Sequence, residues 1–174
     1  MKRPLVFILD VDGVLTDGKF FYTAEGKVMK SFGADDNDAI SLLRPYIQVR
    51  FVTGDRKGFN ITRKRVVEDM ESQLDLVSTI KRIDWIKEKW PLDQVIYMGD
   101  GIFDHYVFKE VAYSIAPADA DEHARSVANF VTKRAGGDRT VAEAVLHILD
   151  KFFEGYDRAR LPQTTGKLSG EWTV

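Results

Sequence analysis

Six short apolar runs recur along the chain, near residues 5–10, 47–53, 74–78, 94–98, 112–116 and 129–132. The stretches between them carry helical patterning, near 36–44, 58–72, 79–90, 102–110 and 119–128, with a last helix near 139–154. Strands joined through helices do not pair as hairpins; each connection crosses over and brings the next strand in parallel. The pattern predicts a Rossmann-like, doubly wound α/β sheet, in which ligands bind outside the carboxyl ends of the strands. The helix from Thr79 places Ile80, Ile83 and Ile86 three apart as its apolar face. Asp36 reads as the N-cap of the first helix and Pro45 as its stop.

Residues 19–33 break the rhythm. Phe20 and Tyr22 alternate with polar residues, Glu25-Gly26 supplies a turn, and Val28, Lys30 and Phe32 continue with period two. That reads as a β-hairpin directly after the first strand, either a flap over the site or an oligomer contact. The 174 residues suffice for one α/β domain over 1–154, with the 19–33 flap and no large cap. Residues 155–174 are polar, contain Pro162, and read as a C-terminal tail.

Charge narrows the partners. With a net charge of −2 and both signs interspersed, nothing favours nucleic acid or an anionic membrane. No run approaches a membrane span, and the apolar stretch after Met1-Lys2-Arg3 is too short for a signal peptide. The absence of cysteine excludes disulfides, thiolate metal sites and Cys nucleophiles, and fits a cytoplasmic setting.

The first strand runs into "FILDVDGVLTDG", which delivers Asp10, Asp12 and Asp17 into a Gly-punctuated turn. A second acid turn, "YMGDGIFD", places Asp100 and Asp104 after the fourth strand of the parallel set. If both strands are central, their acids converge at one edge, where crowded carboxylates call for a hard divalent cation such as Mg²⁺. A single Asp after a strand more often caps a helix or a turn, so it is the pair of clusters that points to a site. "FVTGD" ends another strand with Thr53 and Gly54, a hydroxyl and free N–H groups suited to phosphate. Lys81, near the start of the next helix, is a candidate counter-charge, although a lone lysine is usually at the surface. His105, His123 and His147 read as structural. Arg63-Lys64-Arg65 reads as a solvated face, with an anion- or subunit-binding role as the alternative.

In order, these elements resemble the four motifs of the haloacid dehalogenase-like phosphatase superfamily: "DVDGVLTDG", "FVTG", Lys81 and "MGDGIFD". "KSFGADD" and "TKRAGGDRTVAEAV" are similar to the small capless subfamily typified by 3-deoxy-manno-octulosonate 8-phosphate phosphatase. The resemblance covers roughly residues 4–150. It implies Asp10 as nucleophile and Asp12 as general acid and base. It implies Mg²⁺ on Asp10, the Asp12 carbonyl and Asp100, with Asp104 orienting that shell and Gly13 giving the phosphate close backbone approach. Thr53, Gly54 and Lys81 would hold the phosphoryl group. The implied activity is hydrolysis of a small sugar phosphate, a 3-deoxy-2-keto sugar acid phosphate being the best match (octulosonate 8-phosphate or nonulosonate 9-phosphate). The implied assembly is a homotetramer whose neighbouring subunit completes the site. Gly101, Asp35 and Asp55 depart from the subfamily pattern, Asp35 replacing a basic residue. The competing expectation is a catalytically degenerate ligand-binding or assembly domain.

Overall fold

The computed structural model describes residues 3–153 together with Asp157 and Ala159; the expected tail over 155–174 otherwise lies outside the described residues. Four apolar residues and the terminal Asp10 build β1 (Val6–Asp10), and every one is buried, as befits a strand covered on both faces. It is flanked in parallel register by β4 (Gln48–Thr53) and β6 (Val95–Met98). With β5 (Gln73–Leu76), β7 (Tyr113–Ala116) and β8 (Phe130–Val131) the six form one parallel sheet, ordered β5-β4-β1-β6-β7-β8. All six expected strands are present, and the chain reverses its winding direction at β1.

Alternation along β1 feeds two cores. Phe7 and Leu9 pack with Ile40 and Leu43 of α1 (Asp35–Leu43) and Val141 and Val145 of α6 (Thr140–Phe152). Val6 and Ile8 pack on the other face with Ile86 of α3 (Arg82–Lys89), Val107 of α4 (Asp104–Phe108) and Ala124 of α5 (Glu122–Val127). The hairpin is β2 (Phe21–Thr23) with β3 (Gly26–Met29), a separate antiparallel pair.

Three local expectations change. The 79–90 helix opens with a 3₁₀ turn, Thr79–Lys81, before α3 begins at Arg82. That change of pitch rotates Ile80 outward, where it is 67% exposed, and turns Arg82 inward on the same face as Ile86. The helix from 58 is α2 (Phe59–Arg63) followed by a wider-turned segment, Lys64–Asp69. Asp36 does not cap its own helix: Ala34 holds that position, and the Asp36 carboxylate instead accepts the Ala142 N–H at 2.9 Å in the first turn of α6.

The loop after β1 is fixed from two sides. Thr16 Oγ1 accepts the Gly18 N–H at 3.2 Å, and Thr16 N–H reaches back to the Val11 carbonyl at 3.0 Å. Gly137 N–H donates to the Val14 carbonyl at 3.0 Å, and a Cβ on Gly136 would overlap the Gly13 carbonyl. The "AGG" segment before α6 thereby presses its backbone directly onto the acid turn.

Candidate active site

The carboxyl ends of β1, β4 and β6 open onto a cleft of about 350 Å³ whose walls include Asp10, Asp12, Gly54, Asp100 and Asp104. Central parallel strands therefore bring together the two acid turns and the Thr53-Gly54 turn, as their strand-end positions predict. Asp17 stays outside, pairing at the surface with Lys19 at 3.4 Å.

Asp10 is 7% exposed. Its Oδ1 accepts the Val11 N–H at 2.7 Å and its Oδ2 accepts from Arg82 Nη1 at 2.5 Å. The same Nη1 donates to the Tyr97 hydroxyl at 2.7 Å, and that hydroxyl donates to Asp104 Oδ1 at 2.7 Å. Asp104 Oδ2 accepts the Gly101 N–H at 2.8 Å. Carboxylate oxygens of Asp10, Asp100 and Asp104 lie within 4.8 Å of one another. Burial, reinforced by Asp104 and only partly offset by Arg82, raises Asp10 to about 6. Burial, then the charges of Asp10 and Asp104, raises Asp100 to about 8. For Arg82, burial works against the charge, but Asp10, Tyr97 and Asp104 outweigh it and hold the guanidinium charged.

Such an oxygen-only, electrostatically frustrated donor set fits a hard divalent cation. Both oxygens of Asp104, like both of Asp10, already accept hydrogen bonds, and all three carboxylates stand close enough together to share one cation. Gly13 explains the closeness of the two turns. It sits at φ 85°, and a Cβ there would overlap the Asp100 carboxylate. Gly13 thereby lets the Asp100 carboxylate lie directly against the backbone of the first acid turn.

On the β4 side, Thr53 Oγ1 donates to Asp12 Oδ2 at 3.1 Å and accepts the Asp55 N–H at 3.0 Å. Lys81 is not brought to the cluster: it closes the 3₁₀ turn, exposed to solvent. Its neighbour Arg82, with no exposed surface, holds the place beside Asp10, and its Nε and Nη2 are buried without a hydrogen-bond partner. An (i, i+4) pairing of Arg82 with buried Ile86 was the signal available in the sequence.

Lys30, at the hairpin exit, is a second residue that the motif reading missed. Its side chain is fully buried, with Nζ 2.6 Å from Asp12 Oδ1. It shares a period-two face with Phe32, which packs against the core. Asp55, the departure from the usual pattern, is paired with Lys27 at 2.5 Å and Lys30 at 2.8 Å. Asp35, the other, pairs with Arg139 at 2.9 Å. Arg63 and Lys64 engage Glu68 on an exposed face, at 2.6 and 3.0 Å, while Arg65 donates to the Gly33 carbonyl at 3.0 Å.

A parallel sheet with an aspartate pair ending its central strand and a further acid pair ending the adjacent strand defines a haloacid dehalogenase-like hydrolase. The family profile of that description matches residues 62–145. The 3-deoxy-D-manno-octulosonate 8-phosphate phosphatase KdsC of Salmonella typhi is 32% identical over 148 residues, covering 79% of this chain and 75% of the relative. The chain belongs to this haloacid dehalogenase-like family and resembles its KdsC phosphatases. Among solved structures, the cobalt-bound deoxy-D-mannose-octulosonate 8-phosphate phosphatase of Haemophilus influenzae superposes with a TM-score of 0.75 at 31% identity, covering 85% of this chain and 88% of the other. The Moraxella catarrhalis 3-deoxy-D-manno-octulosonate 8-phosphate phosphatase, solved with magnesium, phosphate and KDO, gives 0.72 at 25% identity, covering 84% and 86%.

Proposed function

We propose that this chain is a Mg²⁺-dependent phosphomonoesterase acting on a small sugar phosphate, best matched by a 3-deoxy-2-keto sugar acid phosphate. The observation that carries this is the convergence of Asp10, Asp12 and Asp100 on one cleft at the carboxyl edge of the sheet, with the buried Arg82 guanidinium behind Asp10. The relatives named above supply the substrate class.

In this reading an Asp10 oxygen attacks phosphorus and the bond to the sugar oxygen breaks. Asp12 gives its proton to that oxygen, which leaves an aspartyl-phosphate on Asp10. Asp12 then takes a proton from water, whose oxygen attacks phosphorus, releasing inorganic phosphate and restoring Asp10. Asp10, the Asp12 carbonyl and Asp100 would hold the cation, which neutralises negative charge between carboxylate and phosphoryl group. Thr53 Oγ1 and the Gly54 N–H would bind phosphoryl oxygens. Arg82, with its buried unpartnered Nε and Nη2, takes the cationic role expected of Lys81.

The hairpin supports the homotetramer reading. Phe21, Tyr22, Val28 and Met29 are each half exposed or more, an apolar surface that assembly would cover. A cysteine-free chain also suits a reducing cytoplasm.

The test is phosphate release with Mg²⁺ from octulosonate 8-phosphate, nonulosonate 9-phosphates, hexose phosphates and an aryl phosphate, beside Asp10→Asn. Preferential turnover of one sugar acid phosphate, lost in the variant, is expected. Turnover of the aryl phosphate alone would remove the sugar-acid assignment, and no turnover of any would overturn the enzyme reading.

A further inference from the structure

Lys30 occupies an improbable place for an ammonium. Burying that charge costs several kcal/mol unless every proton finds an acceptor. Here Nζ donates to Thr62 Oγ1 at 2.9 Å and forms ion pairs with Asp12 Oδ1 at 2.6 Å and Asp55 Oδ2 at 2.8 Å. The surroundings are built for it. Gly58 lies beneath the lysine stems, and a Cβ there would overlap the Asp55 carboxylate and come within 2.8 Å of Lys27 Cδ and 3.0 Å of Lys30 Cε. Gly58 N–H also fixes Asp55 Oδ1 at 3.0 Å. Lys27 braces the other side, 2.5 Å from Asp55 Oδ2 and 3.3 Å from the centre of the Phe20 ring. An otherwise exposed hairpin thus sends one charged side chain into the site and anchors it on α2 and the β4–α2 loop.

We propose that Lys30 is a positioning residue for Asp12, holding the carboxyl in the orientation from which it protonates the leaving oxygen. The proposal rests on the phosphomonoesterase reading above. Asp12 is held by charge on one side and by a hydrogen bond on the other: Lys30 Nζ ion-pairs with Oδ1, and Thr53 Oγ1 donates to Oδ2. A phosphoryl group in the cleft competes for the Thr53 hydroxyl. Lys30 does not face that competition, because Asp55 and Thr62 hold it from behind, so it remains the fixed constraint on Asp12 during proton transfer. Asp55 and Thr62 act through Lys30, which gives the unusual "TGDRKGFNIT" segment a purpose.

The proposal separates substrates by leaving group. An alkyl alkoxide must be protonated as it departs, whereas a nitrophenolate leaves without a proton. Single-turnover release of the leaving group, with full-length enzyme in excess and Mg²⁺ present, isolates the first step from later hydrolysis. For Lys30→Met we expect release from the sugar phosphate that the wild type turns over best to slow on the order of 10²-fold, the range of a general acid put out of line. Release from p-nitrophenyl phosphate should change by less than about 5-fold, with substrate binding little altered, because no proton transfer is at stake. Asp12→Asn should show the same split, more strongly. A merely structural role would slow both substrates alike; that result, or no loss with either, would overturn the proposal. If Lys30→Met does not fold, Thr62→Val removes one anchor, and the same split must appear in smaller form for the proposal to stand. A wild type inactive on every phosphate would bring down the phosphomonoesterase reading together with this one, whereas an active wild type without the split would bring down only the role of Lys30.

Discussion

At residue 13 the backbone turns through φ 85°, against the carboxylate of Asp100. Gly13→Ala should destabilise by about 1–2 kcal/mol from the left-handed conformation alone, and more as Asp100 is displaced. Thermal unfolding and cation titration would detect the two effects separately. One position further around the cluster, Lys81 and Arg82 are neighbours with opposite exposure. Lys81→Ala should leave kcat within about 2-fold, whereas Arg82→Met should lower it on the order of 10²-fold, the usual loss for one donor to a developing anion. Steady-state kinetics on the pair decides between them. The acids of this site were legible because each ends a strand, where topology leaves no choice of edge. Arg82 was not, because a single 3₁₀ turn shifts the helix phase by about one residue, and apolar spacing alone cannot report that shift. Lys30 was hidden by composition: a lysine in an alternating hairpin defaults to solvent, and only the inward Phe32 two residues on marks its face.

Among the elements, the start of α6 carries a titratable weak point. Burial raises Asp36 to about 6; the Ala142 N–H opposes this and the charge of Asp35 adds to it. A carboxyl raised in the folded state contributes stability that is full below its unfolded pKa, near 3.8, and is lost as pH climbs through 6. At about 1.4 kcal/mol per pKa unit the swing is of order 3 kcal/mol, and Asp36→Asn should flatten it in pH-resolved melting. Asp55 has the opposite sign. Burial pushes it up, but Lys27, Lys30 and the Gly58 N–H overcome that and bring it to about 2. Its contribution is present above pH 3.8 and disappears as pH falls toward 2. The strands were readable to within a residue or two, since β-branched runs buried on both faces have few other uses. Helix starts were less so: Asp36 looks like a cap for its own helix and serves another, a partnership of 106 residues that local pattern does not contain.

For the molecule as a whole, the cation site proposed at the acid cluster should make folding stability depend on Mg²⁺. Mg²⁺ at a hundred times its dissociation constant should add about 2.7 kcal/mol, seen as a rise in melting temperature that a chelator reverses and Asp100→Asn abolishes. Replacing the half-exposed Tyr22 and Met29 with aspartate should break up the proposed tetramer into smaller species by light scattering while the sheet still melts cooperatively. No helix among the described residues is long and apolar enough to cross a membrane.

The central place of β1 has a consequence for synthesis. The strand that carries Asp10 is synthesised well before its second neighbour, β6, which begins only at residue 95. The loop it feeds is not clamped until Gly136 and Gly137 have been added. A nascent chain therefore holds its most apolar ribbon half-paired until β6 has been made, the kind of surface on which aggregation begins and to which chaperones bind. Synonymous codons that slow elongation between β4 and β6 should lengthen that exposure and lower the soluble yield without changing a single amino acid.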